Sequence, residues 1–140
     1  MDERGQAIRG ACEQAVRLLA AELPGREVAC LIREQDVLRH AAQEGGERLI
    51  YEIPRDLGGV TWRAADSGET QLVRDVTADP DYLASNEDVR SEIAVPVSAR
   101  GEVVAVLDVE SRSDLGTADV DAVRRSAERL AAELARLYDS

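Results

Sequence analysis

The stretch VVAVLDVES, residues 103–111, is the most apolar of the chain, yet it carries two acids, Asp108 and Glu110. Alternation along a strand sends Val104, Val106, Asp108 and Glu110 to one face, and Val103, Ala105, Leu107 and Val109 to the other. One face is therefore core throughout, while the other turns acidic part-way along. Either the strand runs out of the core into water, where an acidic end costs nothing, or it floors a pocket and aims two carboxylates at a ligand. A carboxylate withdrawn from water is tolerated only beside a cation or hydrogen-bond donors, so a pocket of this kind would select a cationic group.

Other reactive side chains are scarce. Cys12 and Cys30 are the two cysteines, and they form neither a CxxC pair nor a metal-ligand spacing. Cys12 falls on a helical pattern and Cys30 alternates with Val28 and Ile32, so both read as small buried hydrophobes. His40 stands alone and cannot assemble a triad or a multi-histidine metal centre. No metal site and no cofactor are expected. All 17 basic residues are Arg, and against 28 Asp and Glu they leave a formal net charge of −11. That balance, with no basic patch, disfavours nucleic acid and anionic membrane surfaces. Aliphatic runs such as Val103–Leu107 fall far short of the ~20 residues that span a bilayer, and the N-terminus is charged from Asp2 onward. The expectation is a cytoplasmic chain forming a single domain over residues 1–140, a length at which folding buries about 70% of the surface of the unfolded chain.

The elements that must position the acids can be read from periodicity. Residues 3–23 place Ile8, Cys12, Ala15 and Leu19 on one helical stripe, ended by Pro24 and Gly25. Strands are expected at 27–32, 37–43 and 48–53, joined by the short polar separators REQD and EGGE as an antiparallel meander. A short helix over 57–67 follows, with Leu57, Val60, Thr61 and Ala64 inward and Gly68 as its stop. A strand at 71–76 leads into a loop to residue 90, the longest irregular stretch, and long loops in compact domains are commonly lids or binding loops. Segments 91–97 and 103–111 form an apolar hairpin at the centre of the sheet. The final helix starts at a Thr117 cap, with Asp119 and Asp121 suited to its positive end. Along it Val120, Val123, Ala127, Leu130, Leu134 and Leu137 recur at 3,4 spacing, a heptad-like seam that suggests a homodimer through helices 3–23 and 118–138.

This order of elements, and the residues themselves, resemble a GAF domain. GGVTWRAADSGETQLVRDVTADPDYL is similar to the family's glycine, helix, strand and Asp-Pro-Asp-Tyr passage, and RSEIAVPVSARGEVVAVLDVESRSDLGTADVDAV to its closing hairpin and helix. The resemblance implies an α+β fold of the GAF-like, PAS-related kind. Its central six-stranded antiparallel sheet would carry the terminal helices on one face. A ligand pocket would lie on the other, roofed by the 57–67 helix and the 76–90 loop. Within the family the chain looks most like the free methionine-R-sulfoxide reductases. On that pattern Glu92, Asp108 and Glu110 match the carboxylates that hold the substrate amino group, whereas the two cysteine positions fall on Thr61 and Ser85. Sulfoxide reduction needs a thiolate to attack sulfur and a second thiol to close a disulfide, so the resemblance implies a chain that is not an enzyme.

The function expected is therefore non-catalytic binding of a small molecule in a sensory or signalling role, with an amino acid or another amine as one ligand class. Glu92, Asp108 and Glu110 would form the acidic wall, with Trp62 and Tyr82 covering an apolar or cationic group. Arg90 would neutralise the acids or bind a carboxylate, and Thr61 and Ser85 would offer hydroxyls. The alternatives are a structural pairing module without ligand, in which the acids pair with Arg90 or Arg112, and a degenerate sulfoxide reductase.

Overall fold

The structure, a computed structural model, describes residues 2–46, 51–84 and 88–139. Helix α1 spans Glu3–Glu22 and starts where the Asp2 carboxylate accepts a hydrogen bond from the Gly5 amide at 2.7 Å. It stops at Pro24 and at Gly25, whose φ of +82° suits a residue without Cβ. Strands β1 (Glu27–Glu34) and β2 (Val37–Glu44) form the first hairpin, and β3 (Glu52–Pro54) joins β2. The expected third strand began at residue 48, and positions 47–50 lie outside the described residues. Next come helix α2 (Val60–Ser67), strand β4 (Gln71–Val73), strand β5 (Ser91–Ala99), strand β6 (Glu102–Ser111) and helix α3 (Thr117–Tyr138).

The six strands pair antiparallel in the order β3-β2-β1-β6-β5-β4, which puts β1 and β6 at the centre. Alternation then divides the core in two. Val28, Cys30, Ile93, Val95, Leu107 and Val109 face α1 and α3. Ala29, Leu31, Ala94 and Val106 face the opposite way, towards α2. The pattern is inverted at one place. Ser98 pairs with Val103 and Val97 with Ala105, so Val104 is an extra residue in a bulge. Val104 therefore packs with the helix side and Val103 with the α2 side, the reverse of simple alternation.

The terminal helices bury Ile8, Cys12, Val16 and Leu19 from α1, and Ala122, Val123, Ala127, Leu130 and Leu134 from α3. This seam packs against its own sheet and against the other terminal helix. An apolar stripe of this width is what any surface helix needs to bury, so packing within one chain accounts for the 3,4 spacing. The start of α3 also differs from the sequence reading. Gly116, not Thr117, is the capping position, and Asp119 Oδ2 reaches back to accept the Gly116 amide at 2.8 Å. No described helix is long and apolar enough to cross a membrane.

Candidate functional site

The cross-strand register brings the acids together. Glu92 on β5 lies directly opposite Glu110 on β6, and Asp108 lies one pleat along on the same face, opposite Ala94. All three are buried, with exposures of 5% for Glu92, 0% for Asp108 and 2% for Glu110. One carboxylate oxygen from each lies within 4.8 Å of the others. Glu110 also accepts a hydrogen bond from the Tyr82 hydroxyl at 3.2 Å, which ties Tyr82 to the floor. Of the two readings of VVAVLDVES, the strand running out into water is thus set aside. Its acidic end is as deeply buried as its apolar one.

Three converging carboxylates present acceptors and negative charge to one small volume, which suits a cation. A metal ion or an organic ammonium would each meet that requirement, and Glu92, Asp108 and Glu110 are the residues that would hold either.

Above this floor lies α2, which packs on β5, β6 and β4 and buries Thr61 on its first turn. The approach of the roof segments is close. Gly59, at φ +107°, precedes α2, and a Cβ there would sit 2.8 Å from Leu83 Cδ1. Helix and loop are latched together by Arg63, whose guanidinium donates to Asp79 Oδ2 at 2.7 Å and to Asp81 Oδ2 at 2.9 Å. The Arg63 hydrogen bond holds the Asp79 carboxyl below the usual carboxylate range, against an opposing effect of burial. Arg63 was missed as a site-forming residue. Its signal in the sequence was a lone Arg on a short helix followed by the acidic run around Asp79 and Asp81.

Two expected site residues are committed elsewhere. Trp62 is 2% exposed, its indole N–H donates to the Ile53 carbonyl at 2.7 Å, and the Arg33 and Arg55 guanidiniums lie 5.4 and 5.3 Å from the ring centroid. The ring is a core residue with two cation–π partners, so its donor and stacking capacity are already used. Arg90 turns outward and donates to Asp114 Oδ1 at 2.8 Å, with its side chain 60% exposed, so it neither neutralises the acids nor reaches a ligand beside them. Its backbone serves the sheet instead, donating to the Ser111 carbonyl and accepting from the Val76 amide. Ser85 lies outside the described residues.

Cys12 and Cys30 sit behind the sheet, fully buried in the core beneath α1 and α3. A hydrogen bond between the two thiols, reinforced by burial, pushes Cys30 well above the usual thiol range. They are packing residues on the face opposite the acids.

The family model of the GAF domain matches residues 7–134. Among solved structures, type II free methionine-R-sulfoxide reductase from Thermoplasma acidophilum superposes with a TM-score of 0.86 at 24% identity, covering 97% of each chain. Free methionine-R-sulfoxide reductase from Neisseria meningitidis, solved with its substrate, gives 0.84 at 26% identity, covering 94% of this chain and 81% of that one. The free methionine-R-sulfoxide reductase of Saccharomyces cerevisiae is 38% identical over 64 residues, 45% of this chain and 36% of its own length. The matched segments span only 32–41% of the length of the curated relatives. These comparisons overturn the expectation that the chain is not an enzyme. Proteins it resembles in sequence and in structure include reductases, and similarity to enzymes is no ground for denying it an activity.

Proposed function

The chain belongs to the GAF domain family, and on that premise we propose that it binds a small free amino acid, with the ammonium group seated among Glu92, Asp108 and Glu110. The observation that supports this reading is the convergence of three buried carboxylates within 4.8 Å. An alkylammonium carries three N–H donors around one positive charge, a match for three converging carboxylates. Tyr82, donating to Glu110, would hold that acid in register, and Thr61 would offer a hydroxyl from the roof. Methionine-R-sulfoxide is the first ligand to try, because proteins named for it are among the relatives. Occupancy of the site by such a ligand is what a sensory role would report.

The test is titration calorimetry with L-methionine-R-sulfoxide, L-methionine and N-acetyl-methionine sulfoxide. Saturable binding of a free amine, weakened at least tenfold by acetylation, is the expected result. Silence from every free amino acid at millimolar concentration would end the reading.

The reductase relatives support a second reading, in which the bound sulfoxide is also reduced. The balanced step consumes two thiols, forms one disulfide and releases the sulfoxide oxygen as water. Cys12 and Cys30 lie behind the sheet, so an external dithiol such as dithiothreitol would supply the electrons. Sulfoxide loss above the thiol-only background, abolished by E110Q, would support turnover. A rate equal to that background would remove it.

A further inference from the structure

Arg63 is not one of the three floor acids, yet its contacts join the pieces that surround them. Its Nε donates to Gln71 Oε1 at 2.8 Å. Gln71 stands on β4 opposite Ala94, and Ala94 stands opposite Asp108, so this end of the guanidinium is fixed to the cross-strand row that carries one of the acids. The other end grips the segment that follows β4. Nη1 and Nη2 donate to the two Asp79 oxygens at 3.0 and 2.7 Å, and Nη1 also donates to Asp81 Oδ2 at 2.9 Å. Asp79 is in turn the bracket of the next residues. Its Oδ1 accepts the Asp81 amide at 2.9 Å, and its carbonyl accepts the Tyr82 amide at 3.3 Å. Tyr82 then donates its hydroxyl to Glu110 Oε2 at 3.2 Å.

Every link in this path is a hydrogen bond or a covalent bond, and the path begins and ends on the sheet. From it we infer that Arg63 is a positioning residue for the acidic floor: it fixes where Tyr82 stands over β6, and through Tyr82 it aims the Glu110 carboxylate. The inference rests on the ammonium reading above and adds how one of its three acids is oriented. Two properties suit Arg63 to the task. Its grip on Asp79 is two-pronged, which sets orientation as well as distance, and lysine offers no such plane. Arg63 and Asp79 are also partly buried, so their contact is screened less than that of a surface pair. A long carboxylate that is free to turn must give up its rotamers when a ligand binds, whereas one already held by a donor has surrendered part of that freedom in advance.

The experiment is a double-mutant cycle read by titration calorimetry with L-methionine-R-sulfoxide. R63Q and Y82F should each weaken binding about fivefold or more, the ordinary net worth of one hydrogen bond. Because Arg63 acts through Tyr82, R63Q/Y82F should bind no more weakly than the weaker of the two single variants. R63K should recover only part of the loss. D81N, at a half-exposed side chain whose change empties no buried site, should show a smaller loss that Y82F likewise masks. A general loosening of the fold would instead add to the loss of the hydroxyl. Losses that multiply in the double variant, to about 25-fold, therefore overturn the inference. So does R63Q binding as tightly as wild type, and in either case the ammonium site stands. A wild type that binds no free amino acid overturns the ammonium reading and this inference with it.

Discussion

Replacing Glu110 with Gln isolates the electrostatics of the site, because Gln keeps the shape and the oxygen that accepts from Tyr82. Two unit charges 4.8 Å apart repel by about 3.5 kcal/mol at an effective dielectric of about 20. Glu110 faces two such neighbours, Glu92 and Asp108. The repulsion is capped, since an ordinary glutamate can escape it by taking up a proton at pH 7, at a cost of about 3.7 kcal/mol. E110Q should therefore relieve up to about 3 kcal/mol of repulsion in the ligand-free protein, or up to about 12 °C in Tm for a chain of this size, less what the internal partners of Glu110 lose. The same change removes a charged acceptor from the ligand's ammonium. A hydrogen bond to a charged group contributes about 1.5–3 kcal/mol, so affinity should fall about 10- to 150-fold. Differential scanning calorimetry without ligand and titration with it give the two numbers. An E110Q protein less stable than wild type in the absence of ligand would refute the reasoning, since it would show that the internal partners of Glu110 outweigh the repulsion.

Other perturbations separate the roof from the core. Asp79 has a folded pKa held below its unfolded one, first by the Arg63 hydrogen bond. Its contribution is present above the ordinary carboxylate range, near pH 4, and is lost as pH falls through the lowered value. Thermal unfolding of wild type should therefore lose stability below about pH 4 more steeply than R63Q, and parallel curves would remove the latch. G59A should strain the entry to α2, where φ is +107° and Leu83 lies 2.8 Å from a Cβ, lowering Tm and weakening ligand binding together. L134A, in the core between α3 and the sheet, should cost about 2–5 kcal/mol by denaturant titration while leaving ligand affinity unchanged in the folded protein. W62A should cost about 3–5 kcal/mol, because it empties a buried volume and strips two guanidiniums of their ring.

Much of the architecture was legible in the sequence because it rests on periodicity. Helix α1 ends where Pro24 and Gly25 say it must, and β5 and β6 are the apolar hairpin their composition implies. Asp108 and Glu110 stood out because acids in so apolar a strand are costly. Their closeness to Glu92 followed from motif resemblance and appears as direct pairing of Glu92 with Glu110 across β5 and β6, with Asp108 one pleat along. What could not be read depended on tertiary geometry. A bulge at Val104 reverses two side chains because alternation counts residues, whereas the sheet counts hydrogen-bonded pairs. Trp62 and Arg90 are long side chains whose direction is set by partners far away in sequence, Ile53 for one and Asp114 for the other. The 3,4 spacing of α3 could not by itself say what the helix packs on, because a helix on its own sheet and a helix in a coiled coil share an apolar stripe.

The most direct measurement is a crystal structure of the protein grown with L-methionine-R-sulfoxide. The ligand nitrogen should lie within about 3.2 Å of carboxylate oxygens from Glu92, Asp108 and Glu110. A ligand bound elsewhere, or one whose nitrogen points away from these three acids, would contradict the account.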